Sequence, residues 1–209
     1  MRKAVAGFWY SPASEGVSAL VVTAAFFALG SLLGGFVSVA ATGSGSNTVY
    51  PYLEGFLDAI RGDRLLYPDL LQFLWLSLRW PLAAFVLGFS SLGLLGLPLL
   101  SGARGFLFSF AVGVFAHALG PQGLMTAFLL FGASGFISVP VFLLISTQSF
   151  LAARSLASRG PGKSEFPYDR AYILRCCFSV VLLCVGLILE WYFIPEFLAG
   201  WSELLLRNI

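Results

Sequence analysis

Long blocks of hydrophobic residues, each almost free of charge, dominate the pattern along this chain. Polar residues are collected between the blocks and do not alternate with apolar ones, as they would in a half-buried strand. An apolar helix of ~20 residues crosses the hydrocarbon core of a bilayer. The pattern therefore predicts an all-α fold, a polytopic transmembrane helix bundle of about five spans in a single domain, 1–209. The predicted spans are 17–40, 80–100, 104–120, 122–148 and 174–200.

Short turn-forming segments separate the hydrophobic blocks in the middle of the chain. Ser101–Gly102–Ala103 predicts a tight hairpin between the second and third spans, and Gly120–Pro121 predicts a turn between the third and fourth. Proline removes a backbone donor and interrupts the helical hydrogen-bond ladder. We therefore predict helix breaks at Pro98, Pro140 and Pro195.

The basic residues predict the orientation of the bundle. With the N-terminus in the cytoplasm, eight Lys or Arg residues fall inside and four outside. Cytoplasmic loops keep the excess of Lys and Arg, so this bias agrees with an inner N-terminus and an outer C-terminus. The inner set is Arg2, Lys3, Arg104, Arg154, Arg159, Lys163, Arg170 and Arg175, and the outer set is Arg61, Arg64, Arg79 and Arg207.

The predicted outer loop, 41–79, contains an amphipathic pattern. Apolar residues recur there at helical spacing, at Leu53, Phe56, Leu57 and Ile60. This pattern predicts an outer-loop helix, which either caps the bundle or docks an outside partner; the pattern alone favours the cap. A second apolar run, 70–78, either lies along the membrane interface or lengthens the second span.

Composition agrees with a multi-pass protein of the cell membrane surrounded by lipid. The chain is 58% hydrophobic and 11% charged, whereas soluble domains carry about 25% charged residues. A net charge of +2 gives no reason to expect a nucleic-acid partner. The three cysteines, Cys176, Cys177 and Cys184, have neither zinc-site nor disulfide-framework spacing and are interpreted as packing residues.

Two polar residues interrupt the predicted spans, Glu190 and the sole histidine, His117. Each lies ~20 Å from the inner end of its predicted span, so the two side chains meet if their helices are neighbours. A charge at mid-bilayer costs at least about 2.5–3.5 kcal/mol, so Glu190 is expected to face other helices. A structural hydrogen bond is favoured over a proton or ion relay, because transport needs more polar groups than these spans contain.

Small residues in the spans predict close helix packing. The strongest candidates are Gly30, Gly34, Gly96, Gly105 and Gly113. Packing of this kind also allows a homo-oligomer. The sequence contains no paired carboxylates within a span, no GxSxG motif and no phosphate-binding loop. We therefore expect no enzymatic activity, no catalytic residues, no cofactor and no metal site.

Residues 87–115, LGFSSLGLLGLPLLSGARGFLFSFAVGVF, resemble the core of the stage II sporulation protein M family. The matching positions there are Gly96–Leu97–Pro98 and Gly105–Phe106. Five spans and a chain of this length also agree with that family.

The last helix, within LILEWYFIP, is similar to the family's last-helix pattern through Glu190 and Pro195, and ISVP at 137–140 fits its fourth helix. The resemblance covers roughly 75–200. It departs at 131–134, where Phe-Gly-Ala-Ser replaces the Pro-Gln-Asn-like step of many members.

The resemblance implies a non-enzymatic membrane scaffold of endospore-forming bacteria. Such a scaffold recruits membrane-anchored cell-wall hydrolases, the stage II sporulation proteins D and P, to the sporulation septum for forespore engulfment. The alternative hypothesis is a permease-like or transporter-accessory subunit, in which His117 and Glu190 line a polar path.

Overall fold

The computed structural model describes residues 13–43, 70–158 and 170–206. These residues form five α-helices and one π-helical turn, with no strand among them. The elements are α1 (Ala13–Gly43), α2 (Leu70–Leu87), α3 (Gly93–Ala127), the π-helical turn Phe128–Gly132, α4 (Ala133–Ala157) and α5 (Arg170–Leu206). The predicted all-α fold is confirmed.

Among the described helices, four are long and apolar enough to cross a membrane. Their spanning stretches are Glu15–Thr42, Leu70–Leu87, Gly93–His117 and Gly135–Ala157, and α5 adds a shorter apolar stretch, Tyr172–Ile188. The outward faces carry large apolar side chains, with Phe36 73% and Phe136 83% exposed. A continuous apolar surface of this kind suits lipid tails. The protein is therefore a membrane-embedded bundle of about five spans, as predicted.

The predicted boundaries of the second and third spans are wrong. The chain turns at 88–92, and residues 101–103, predicted to form the hairpin, lie inside α3. Within the turn, the Leu92 amide donates to Ser90 Oγ at 3.2 Å and the Gly93 amide donates to the Ser90 carbonyl at 2.9 Å. The turn, GFSSL, contains no charged residue and lies between apolar runs, so hydropathy averaged over a span does not separate it from the helices that it joins.

The predicted helix breaks at Pro98 and Pro140 do not occur, because both prolines lie inside helices. Likewise, α5 continues through Pro195 to Leu206. A proline removes one donor from a ladder, and neighbouring helices in a membrane bundle compensate for such a loss. Gly120 behaves differently: its φ of 61° interrupts the helical conformation of α3 at the predicted Gly120–Pro121 turn, in a region of φ that favours glycine.

The most extensive contact in the bundle joins α1 to α3. A Cβ atom on Gly30 would overlap the backbone of Gly102, and a Cβ on Gly34 would overlap the backbone of Phe106. The contacting positions advance together along both helices, so α1 and α3 run parallel. Glycine permits this direct contact between backbones.

The other glycines predicted to pack helices also lie at contacts. Gly105 faces the carbonyl of Phe27, and Gly113 faces the side chain of Ser38, so both belong to the contact between α1 and α3. Gly96 instead lies against Leu87 of α2.

Helix α4 is central, because it contacts each of the other four helices. Rings of Phe115 and Phe131 lie 5.7 Å apart across the reversal at Gly120, so α4 runs antiparallel to α3. Between α4 and α5, the hydroxyls of Ser149 and Tyr172 lie 3.4 Å apart. The main apolar core draws on α2 to α5 and consists of Ala84, Leu97, Val141, Phe142, Ile145, Leu183 and Leu187.

Candidate functional site

Two arginines lie near the middle of membrane-crossing helices. Because α3 begins at Gly93, Arg104 lies in the centre of the stretch Gly93–His117, ~17 Å from its first residue. Arg79 lies in the middle of α2, ~14 Å from Leu70. The charge count predicts these arginines at opposite ends of the bundle, whereas in the structure both lie midway along helices long and apolar enough to cross a membrane.

Both guanidinium groups lie close to one indole ring. The Cζ atoms of Arg79 and Arg104 are 5.8 Å and 5.6 Å from the centroid of the Trp80 ring. A guanidinium at this distance is attracted by the aromatic quadrupole, with about 0.5–2 kcal/mol per contact. Trp80 itself packs against the apolar core. The ring therefore holds the two cations at one level of the bundle.

The two arginines differ in burial. The Arg79 side chain is exposed on the outer surface of α2, whereas that of Arg104 is half-buried. The Nε atom of Arg104 is buried and has no hydrogen-bond partner among the residues that the structure describes. The two like charges also repel each other. Each charge at this depth costs at least about 2.5–3.5 kcal/mol, which exceeds the attraction to one ring.

None of the carboxylates that the structure describes lies near the arginine pair. Glu15 is the only acidic residue whose side chain the structure describes, and it is exposed near the start of α1. The contact of Gly30 with Gly102 places Arg104 level with residue 32, ~25 Å along the axis from Glu15. Within the described side chains, neither arginine has an acidic partner.

The backbone at Glu190 lies at a different level from the pair. Phe85 of α2 stacks on Tyr172 of α5, with ring centroids 6.3 Å apart, which aligns these antiparallel helices. Counting from this contact, position 190 is ~18 Å farther along the bundle axis than Arg79.

Several predicted site residues stay untested. His117 ends the apolar stretch of α3, and its imidazole is exposed. The side chain of Glu190 is outside the described part of the chain, so its contact with His117 stays a prediction. The predicted docking face, Leu53, Phe56, Leu57 and Ile60, also lies outside the described residues. In the described ranges there is no cluster of three His, Cys, Asp or Glu side chains that could hold a metal ion.

Hydroxyl groups link the helices inside the bundle. The Oγ1 atoms of Thr23 and Thr147 lie 3.3 Å apart and join α1 to α4. Ser31 Oγ donates to the carbonyl of Gly105 at 3.3 Å and joins α1 to α3. Hydrogen bonds between membrane helices contribute about 0.6 kcal/mol on average. These contacts therefore fix neighbouring helices relative to one another.

The arginine pair does not follow from the hairpin predicted at 101–103, which puts Arg104 at the end of a span. The available signal was the apolar stretch Gly93–His117, which is continuous with Arg104 inside it. An arginine fork binds carboxylate or phosphate oxygens through paired hydrogen bonds. The two guanidinium groups and the exposed side chain of Arg79 therefore form a patch of positive charge on the side of α2.

The chain matches no protein-family model, no curated protein and no solved structure.

Proposed function

We propose that this protein is a non-enzymatic membrane anchor that assembles with other membrane-embedded proteins. The exposed side chain of Arg79, halfway along a membrane-crossing helix, is the observation that carries this proposal. Intramembrane charges normally face a bundle interior or a polar partner, because lipid solvates them poorly. An assembly in which a neighbouring protein covers Arg79 is therefore favoured over the isolated chain.

The resemblance to the stage II sporulation protein M family supports a narrower version of this proposal. In that version the partners are membrane-anchored cell-wall hydrolases similar to stage II sporulation proteins D and P. The bundle holds their transmembrane anchors at the sporulation septum during engulfment. The support lies in 87–115 and in the last-helix pattern around Glu190 and Pro195.

Purification of the tagged chain from its native membranes in mild detergent tests the proposal. We expect one or a few integral membrane proteins to co-purify at near-stoichiometric amounts, as judged by quantitative mass spectrometry. A hydrolase domain on such a protein supports the narrower version. A chain that purifies alone, or only with copies of itself, contradicts the anchoring function.

A permease-like subunit is the second candidate, and it is favoured by polar atoms inside the bundle. In α4, Ser138 Oγ, Ser146 Oγ and Gln148 Oε1 are buried and have no hydrogen-bond partner within the described part of the chain. Water or a substrate in a polar path would satisfy them. This candidate predicts substrate flux in proteoliposomes that Glu190→Gln abolishes without loss of assembly; reduced assembly of that variant supports a structural role for Glu190.

A further inference from the structure

The arginine pair specifies the chemistry that a partner must present. We propose that Arg79 and Arg104 bind a carboxylate, from Asp or Glu, in the middle of a partner's transmembrane helix. That helix lies along the face of α2 that exposes Arg79. This inference rests on the proposed anchoring function and names the partner's contribution to it.

The exposed face of α2 has the spacing of a helix-packing seam. Trp75, Arg79, Leu82 and Val86 follow one another at intervals of four, three and four residues, the repeat of left-handed helix pairs. All four side chains are exposed, with Trp75 at 67% and Val86 at 65%. Arg79 therefore interrupts an otherwise apolar stripe near its centre. A partner helix with apolar residues at matching spacing and one central carboxylate complements this stripe.

The depth of the pair favours a helix-borne carboxylate over a lipid phosphate. Lipid phosphates lie at the edges of a hydrocarbon core about 30 Å thick, whereas the arginines lie near its centre. A transmembrane helix satisfies its own backbone and can carry a carboxylate at any depth. An arginine pair binds such a group through charge-assisted hydrogen bonds that water does not weaken at this depth.

A second copy of the chain is a poor occupant of this face. In a two-fold symmetric contact the same patch of both copies meets, so Arg79 would face Arg79. The repulsion between like charges would add to the cost of placing them in lipid.

Association with model helices in vesicles tests the inference. The full chain is reconstituted in phosphatidylcholine vesicles with a Leu/Ala-rich helix of ~24 residues that carries one central Glu or, as the matched probe, one central Gln. Energy transfer between labels on the chain and the helix measures association. We expect the Glu helix to bind about five- to thirtyfold more tightly than the Gln helix.

Variants of the chain test whether the arginine pair causes the preference for the Glu helix. Arg79→Leu is expected to remove the preference for Glu, and Arg79→Glu is expected to favour a helix with a central Lys instead. Arg154→Leu removes an exposed arginine from the last turn of α4, so it is the matched control and retains the preference. Because Arg79 is exposed, its replacement leaves the packed interior intact, which circular dichroism verifies.

Equal binding of the Glu and Gln helices, or an unchanged preference in Arg79→Leu, overturns the inference. Loss of the preference when phosphatidylglycerol replaces half of the lipid also overturns it, because an anionic headgroup, whose phosphate is not offset by a choline cation, then occupies the pair. Any of these three results, combined with retained co-purification of a native membrane protein, leaves the anchoring function standing. A Glu preference without any co-purifying native protein supports the site chemistry and contradicts the anchoring function.

Discussion

The environment of Arg104 depends on where α3 begins. In a loop after residue 100, its guanidinium would be hydrated and would only mark the cytoplasmic side. Because α3 begins at Gly93, the same residue is half-buried in a membrane-crossing helix, with its Nε atom unpaired among the described residues. The position at which α3 begins therefore decides whether Arg104 only marks the cytoplasmic side or carries its charge inside the bundle.

Replacing Arg104 tests whether its charge lowers the free energy of unfolding of the isolated chain. Removal of an unpaired buried charge is neutral or stabilising, so we expect Arg104→Leu to raise the free energy of unfolding in detergent by about 1 kcal/mol or more. The lost contact with the Trp80 ring offsets part of this gain. Thermal or steric-trap unfolding of the purified monomer measures it.

Arg104→Lys is the control for this prediction, because it retains the charge and should give no gain in stability. The same Leu substitution is expected to weaken association with the Glu-bearing helix. An Arg104→Leu protein that is less stable than the wild type would mean that another part of the same chain already pairs with the guanidinium.

At the scale of elements, the contact between α1 and α3 depends on glycine at particular positions. A Cβ on Gly34 would overlap the backbone of Phe106, which cannot move aside as a side chain can. A Cβ on the adjacent Gly35 would meet only Ser109 Oγ, at 3.4 Å, an ordinary contact distance. The two neighbouring glycines therefore differ sharply in their tolerance of a methyl group.

Gly34→Ala is expected to destabilise the bundle by about 1–3 kcal/mol, because the overlap forces α1 and α3 apart. Gly35→Ala is the matched control; it adds the same methyl group one residue away and should change stability by less than about 0.5 kcal/mol. Unfolding of both variants in the same detergent measures the difference. Equal effects of the two substitutions would contradict the described packing.

The sequence predicts some properties of these elements and not others. The helical class and the approximate number of spans follow from hydropathy, which sums over about 20 residues. Hydropathy does not reveal the turn at 88–92, because Phe89 and Leu92 give this uncharged segment a composition close to that of a span. Its hydrogen bonds involve the Ser90 side chain and the backbone. The arginine pair depends on the register between α2 and α3, and the turn at 88–92 sets this register. A hairpin at 101–103 would give a different register, so the prediction of that hairpin does not lead to the arginine pair.

For the whole molecule, the helix directions place particular segments at one end of the bundle. The start of α1 and the turn at 88–92 share that end with the last turn of α4 and the start of α5. Without the two arginines that lie within spans, the predicted charge count changes from eight against four to seven against three. The bias toward the end that holds the start of α1 persists, so the positive-inside rule still predicts a cytoplasmic N-terminus.

Cysteine labelling at two matched positions tests whether Arg104 lies inside the membrane. Ser91, in the turn, and Ala103, next to Arg104, are both exposed on the surface of the bundle. Each is replaced by cysteine in a chain without Cys176, Cys177 and Cys184, and is treated with a membrane-impermeant maleimide on each side of sealed vesicles. We expect Ser91→Cys to react from the cytoplasmic side and Ala103→Cys to react from neither side. Rapid labelling of Ala103→Cys from the cytoplasmic side, with Ser91→Cys protected, would contradict this placement of Arg104.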